Sequence, residues 1–322
     1  MFRSALLAST LLVSPALAQA DIVNVVASFS ILGDIVQQVG GEHVSLQTLV
    51  GPNDDTHVYE PTPVDVVAVT QADLVVVNGL GFEGFLDRLI AASETGAPLV
   101  VASDGVAVLN NEEAHEEHDE HDDHGHDDHA HDEHDHDEHA HDHAHDEHAH
   151  DDHGHDEHAH DEHAHDDHAH DGHDDHDHGP IDPHAWHSLD AAKFYVANIA
   201  EALCSVDTSA CDEFQANAQA YTDALTQLQA EVAELLAPIP IDQRILITSH
   251  DAFGYLARDF GLTMLSPQGL STNSEASAAE VASLIDQVRD TGARALFVEN
   301  VSDPRLLEQI ADETGLTVSG RL

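Results

Sequence analysis

The chain is short of positive charge. Its 322 residues carry nine Lys and Arg against 63 Asp and Glu, a formal net charge of −54 with histidine neutral. A surface of that sign repels nucleic acid and anionic membrane faces, so neither is expected as a partner and cations are. An acidic surface that serves only solubility would explain the charge outside residues 112–179 equally well. Hydrophobic runs are also scarce. Beyond the first twenty residues nothing approaches the run of about 18 apolar residues that a membrane helix requires. Cysteine is nearly absent, at two residues, Cys204 and Cys211. Their spacing is too wide for a C-x-x-C metal or redox motif. In an oxidising compartment it favours a disulfide around the loop 205–210, with two buried thiols as the other reading.

The first twenty residues assign that compartment. Arg3 gives a positive start, Ala5 to Val13 an apolar run too short to span a bilayer, and Ala16-Leu17-Ala18 and Ala18-Gln19-Ala20 offer cleavage sites. Residues 1–20 read as a secretory signal peptide. No cysteine follows the cleavage region, so a lipid anchor is not expected there, and the mature protein should be soluble and exported.

Histidine, by contrast, is abundant and concentrated. Residues 112–179 hold 26 of the 31 histidines and 30 of the 63 acidic residues, with no Lys or Arg. From about His145 they follow a pentad, His-Asp-Glu-His-Ala, which is neither the helical nor the strand period. With no apolar side chain larger than Ala, the tract cannot offset its ordering entropy and reads as disordered. Imidazoles with carboxylates make many weak overlapping sites for divalent borderline cations. A solvated spacer would account for the acids and leave the histidines unexplained.

The remaining sequence alternates strand and helix patterns, which implies parallel sheets covered on both faces. Strands are expected at 22–27, 44–50, 74–77 and 98–102, with helices from Ile31 to Val39 and over 61–72 and 82–92. After the tract come a helix from Ser188 or Asp190 through Leu203 and an amphipathic helix of about 25 residues, 212–236, roughly 37 Å long. A second α/β unit follows, with strands at 245–248, 263–265 and 295–299, helices over 252–260, 278–291 and 304–314, and one more strand from Leu316. The expected organisation is therefore an N-terminal lobe over 21–187 with the tract inserted, a helical linker over 188–240, and a C-terminal lobe over 241–322. That last lobe reads as truncated, because its final strand lacks a covering helix.

Five histidines lie outside the tract. His57, His184 and His250 fall in loops at the carboxyl ends of strands, where α/β proteins build ligand sites, and His187 is three residues from His184. His43 lies at the opposite end and reads as a surface turn residue. A single loop histidine is more often structural than a ligand. Three in three such loops, in a chain with a histidine-rich arm, point to a metal.

Four segments carry a resemblance: Asp55-Thr56-His57-Val58-Tyr59-Glu60-Pro61, Asp182-Pro183-His184-Ala185-Trp186, Ser249-His250-Asp251-Ala252-Phe253-Gly254-Tyr255-Leu256 and Thr272-Asn273-Ser274-Glu275-Ala276-Ser277. They resemble the signature segments of the periplasmic zinc-binding proteins of zinc-uptake ABC transporters. The resemblance spans residues 21–322. It implies two α/β lobes joined by a long rigid helix, and a monomer that holds zinc between the lobes and delivers it to a membrane permease and indirectly to its ATPase. The metal ligands it implies are His57, His184 and His250. Manganese-specific relatives place a carboxylate at the third position, so His250 favours zinc. The carboxylate that many members supply as a fourth ligand would lie shortly beyond Leu322; water, Glu60, Asp55 or a tract histidine are the candidates here.

Three other readings compete. Three histidines with a water also make a zinc hydrolase, for which Glu60 is the one nameable base. The segment Gly79-Leu80-Gly81-Phe82-Glu83-Gly84, with Asp104 twenty residues on, satisfies G-x-G-x-x-G formally, although it follows the third strand and holds bulky Phe82. A zinc buffer that hands metal to other exported proteins is the least distant rival. The chain holds no G-x-x-x-x-G-K-[ST] and so does not itself energise transport.

Overall fold

The computed structural model describes residues 22–110 and 181–322. Residues 1–20, expected as a signal peptide, and the histidine tract lie outside the described residues. Two four-stranded parallel sheets form, each flanked by helices. The first contains β1 (Val23–Phe29), β2 (Val44–Val50), β3 (Leu74–Val77) and β4 (Leu99–Val101), in the order β2-β1-β3-β4. Its helices are α1 (Ser30–Gly40), α2 (Pro63–Gln71) and α3 (Leu86–Ser93).

Two helices connect the lobes, α4 (Leu189–Val206) and α5 (Cys211–Leu236). The second sheet repeats the first arrangement with β5 (Ile245–Ile247), β6 (Thr263–Leu265), β7 (Ala295–Val298) and β8 (Val318–Arg321), ordered β6-β5-β7-β8. Helices α6 (Gly254–Phe260), α7 (Ala278–Thr291) and α8 (Arg305–Thr314) cover it.

Local chemistry explains the boundaries. Helix α1 buries Leu32, Ile35, Val36 and Val39 at helical spacing and ends where Gly41 takes φ 58°, in the left-handed region that glycine tolerates best. Ser188 caps α4 by accepting the Ala191 N–H, and Ser277 with Glu280 closes a capping box on α7. The expected helix over 82–92 begins only at Leu86. Gly79, Leu80 and Gly81 all have positive φ, and the buried Glu83 carboxylate accepts from the N–H groups of Asn78 and Gly79 and from Ser28 Oγ. Those amides are the ones a phosphate would need, so a carboxylate there disfavours an anion. The formal G-x-G-x-x-G is a self-satisfied turn.

The first core gathers Val25, Ala27, Leu32, Val76 and Leu89 from the sheet and its helices. It also takes Tyr195, Val196 and Ile199 of α4 and Phe214 and Leu225 of α5, so the stretch expected as a linker contributes to lobe packing. Tyr255 of α6 is fully buried in that core as well. Its hydroxyl donates to the Asp182 carbonyl at 2.9 Å and accepts the Leu109 N–H at 3.1 Å. The second core is smaller, built on Ile247, Leu284, Leu296, Leu307 and Ile310. Cys204 and Cys211 form a disulfide between the end of α4 and the start of α5. Among the described residues no helix is long and apolar enough to cross a membrane.

Candidate metal centre

His57 lies on the loop after β2. The backbone N–H of His57 donates to Asp55 Oδ1 at 2.9 Å, the side chain-to-backbone turn that aspartate favours two residues ahead. His184 sits at the start of a single 3₁₀ turn, Ala185–His187, which leads into Ser188 and α4. His250 follows β5, beside the point where the second sheet's strand order reverses between β5 and β7. Crevices of that kind are where open α/β sheets bind ligands.

These three imidazoles meet. One ring nitrogen from each of His57, His184 and His250 lies within 4.8 Å of the others. The Nε2 atoms of His57 and His184 are 3.2 Å apart, and the ring centroids of His250 lie 5.6 and 5.3 Å from those of His57 and His184. His184 and His250 are buried, while His57 is partly exposed.

Two of the rings are backed by carboxylates, one from each lobe. Asp182 Oδ1 accepts from His184 Nδ1 at 2.8 Å and from the His184 N–H at 2.9 Å. Glu299, one residue past β7, holds His250 Nδ1 through Oε2, and its Oε1 accepts the N–H groups of Ser249 and His250 at 2.8 and 3.2 Å. With Nδ1 of each ring held by a carboxylate, Nε2 is the nitrogen left for a metal, the arrangement that metal-ligating histidines use. Burial pushes the Asp182 carboxyl up to about 7, the nearby Asp251 adding to the rise while the His184 N–H opposes it.

An aromatic wall closes one side. The Phe82 ring stands edge-on to His57 at 5.0 Å, and Trp186 packs on Phe82 at 4.6 Å and on His184 at 5.2 Å. Phe82 and Trp186 thereby pack against the rings of His57 and His184.

The remaining candidates lie apart from the group. Glu60 is exposed, and among the described residues the group of ligand atoms within 4.8 Å of one another does not include it. Both oxygens of Asp55 are engaged, Oδ1 by the His57 N–H and Oδ2 by Thr272 Oγ1 at 2.5 Å. His187 lies outside the three-histidine group; its ring packs on Phe253 at 4.4 Å, and burial holds its pKa down at about 3. His43 pairs with Glu213 at 2.9 Å on the surface, near the start of α5. Glu299 is the residue that reading the sequence missed. It closes the apolar run Ala-Leu-Phe-Val, and a carboxylate at the carboxyl end of a buried strand is the signal that would have found it.

Residues 25–322 match the family described as ZnuA, zinc-uptake complex component A, periplasmic. The chain belongs to this family. Its members are the metal-binding components of ABC transporters, and not enzymes. Among curated relatives, the iron-binding protein YfeA of Yersinia pestis is 25% identical over 299 residues, covering 93% of this chain and 76% of that protein. The manganese ABC transporter substrate-binding lipoprotein PsaA of Streptococcus anginosus is 24% identical over 305 residues, covering 93% and 79%. In fold, the chain is similar to the periplasmic zinc-binding protein TroA of Treponema pallidum, with TM-score 0.70 at 24% identity over 94% of this chain and 88% of that one. It is also similar to a manganese-bound periplasmic metal-binding protein of Candidatus Liberibacter asiaticus, with TM-score 0.65 at 23% identity over 93% and 88%. The relatives thus carry the names of iron, manganese and zinc binders.

Proposed function

We propose that this ZnuA-family chain is an exported periplasmic protein that holds one zinc ion between His57, His184 and His250 and passes it to the permease of an ABC importer. The observation that carries the reading is the convergence of three imidazole nitrogens, all within 4.8 Å, from three loops far apart in sequence. The donor set argues for zinc over the metals named for the manganese and iron relatives. Among the described residues the group contains no carboxylate, and neutral imidazole suits a tetrahedral borderline ion better than manganese, which prefers oxygen. Three protein ligands leave one position for water or for a further donor. Residues 112–179 serve as an accessory that captures ions at weak sites and raises their local concentration.

The test is equilibrium titration of the chain with zinc and manganese in competition with chelators. Zinc is expected to bind at least about 100-fold tighter than manganese, on the softness and geometry of the donors. Manganese binding as tight as zinc would contradict the assignment.

A further inference from the structure

We propose that Thr272 and Asp55 form a latch that fixes the His57 loop against the second lobe and sets how long the centre keeps its ion. The inference rests on the three-histidine reading above and adds to it a positioning pair outside the ligand set. His57 is the partly exposed member of the group, and its loop belongs to the first lobe. Polar contacts join that loop to the second lobe.

Asp55 is the pivot of this set. One carboxylate oxygen accepts the His57 N–H at 2.9 Å, and the other accepts Thr272 Oγ1, across the cleft, at 2.5 Å. Asn300 adds a second grip, its Nδ2 donating to the Pro52 carbonyl at 2.6 Å and lying 3.3 Å from Asn53 Oδ1. Asn300 directly follows Glu299, which holds His250. The end of β7 therefore fixes His250 from one side and the His57 loop from the other. A hydrogen bond to an ionised acceptor is among the stronger kinds, and one carboxylate spanning both lobes couples their separation to the position of His57. The three ligands come from both lobes, so a contact that holds the lobes together opposes release, and breaking the Thr272 contact should speed it.

The experiment uses the full chain and follows zinc release to excess chelator by stopped-flow fluorescence. Trp186 is the chain's single tryptophan, and its ring centroid lies 5.2 Å from that of His184, so the signal reports the centre and not the tract. Thr272→Val, which keeps the shape and removes the hydroxyl, is expected to speed release about tenfold, the size of one such contact. Thr272→Ser should return release to within about twofold of the parent. In an Asp55→Ala background, Thr272→Val should add nothing further, because the partner is already gone.

An unchanged release rate in Thr272→Val, equal acceleration in the Val and Ser variants, or a full Thr272→Val effect in the Asp55→Ala background would each overturn the latch. A purely structural role would lower the melting temperature of the metal-free protein without the serine rescue of release. The underlying centre is tested separately. If His57→Ala leaves the zinc-dependent Trp186 signal intact, the three-histidine reading fails, whereas loss of that signal together with an unchanged Thr272→Val overturns the latch alone.

Discussion

Oδ1 of Asp182 accepts two hydrogen bonds from His184, one from ring Nδ1 at 2.8 Å and one from the backbone N–H at 2.9 Å. The ring is therefore fixed in tautomer and in orientation by a residue only two positions away. Glu299 does the same for His250 from a different strand. Neither carboxylate needs to touch the ion to decide how well the imidazoles present it with nitrogen.

Removing either backing carboxylate should weaken the centre without dismantling it. Asp182→Asn and Glu299→Gln are each expected to cost about 10- to 100-fold in zinc affinity, the usual effect of losing the group behind a metal-ligating histidine. Calorimetric titration against a competing chelator measures this directly. Affinity unchanged in both variants would show that the rings hold their orientation by packing alone.

Zinc affinity should fall as pH falls. Ring nitrogens must be unprotonated to bind metal, and free histidine takes up its proton near 6.5. Burial also raises the metal-free Asp182 carboxyl to about 7, so as pH falls below that a proton there competes with a cation at the centre. Binding at pH 6 to 7 should accordingly release protons, and the release should shrink above pH 8. Calorimetry in buffers of different ionisation enthalpy counts those protons; a count near zero at pH 6 would contradict the assignment.

Much of this architecture is legible from residue patterns. The strands Val44–Val50, Leu74–Val77 and Thr263–Leu265 and the helix Ala278–Thr291 have the bounds the sequence predicts. Local pattern fails where distant residues decide. Helix α3 starts late because the Glu83 carboxylate holds the preceding turn, and periodicity alone cannot see Ser28 on the other side of that contact. Tyr255 reads as an ordinary helix residue until α6 meets the first core. The histidines of the centre stand out by their place after strands, but the carboxylates behind them do not, since Asp182 and Glu299 resemble any other acids in so acidic a chain.

The buried Glu83 makes a stability prediction. Its carboxylate accepts from Ser28 Oγ, from the Asn78 N–H at 2.6 Å and from the Gly79 N–H at 3.1 Å. Glu83→Ala orphans these donors and should cost about 2–4 kcal/mol, given roughly 1–3 kcal/mol for each unsatisfied buried group and partial rescue by water. Denaturant unfolding of the metal-free protein is the check. A loss under about 0.5 kcal/mol would mean that the turn holds its shape without the carboxylate.

The disulfide should matter for stability and not for metal. Closing a loop of about eight residues contributes roughly 2–3 kcal/mol through the unfolded chain. Cys204→Ser with Cys211→Ser should lower unfolding free energy by about that much and leave zinc affinity within about twofold, because the bridge joins α5 to the end of α4 opposite the one that His184 precedes. A large change in zinc affinity would tie the helix connection to the centre.

The central claim is that the ion is held by His57, His184 and His250 and that the histidine tract is an accessory. Calorimetric zinc titration of a chain lacking His115 to His178 tests it most directly. One tight site should remain and several weak ones should vanish, with the tight site then lost on His57→Ala. Disappearance of the tight site with the tract itself would contradict the account.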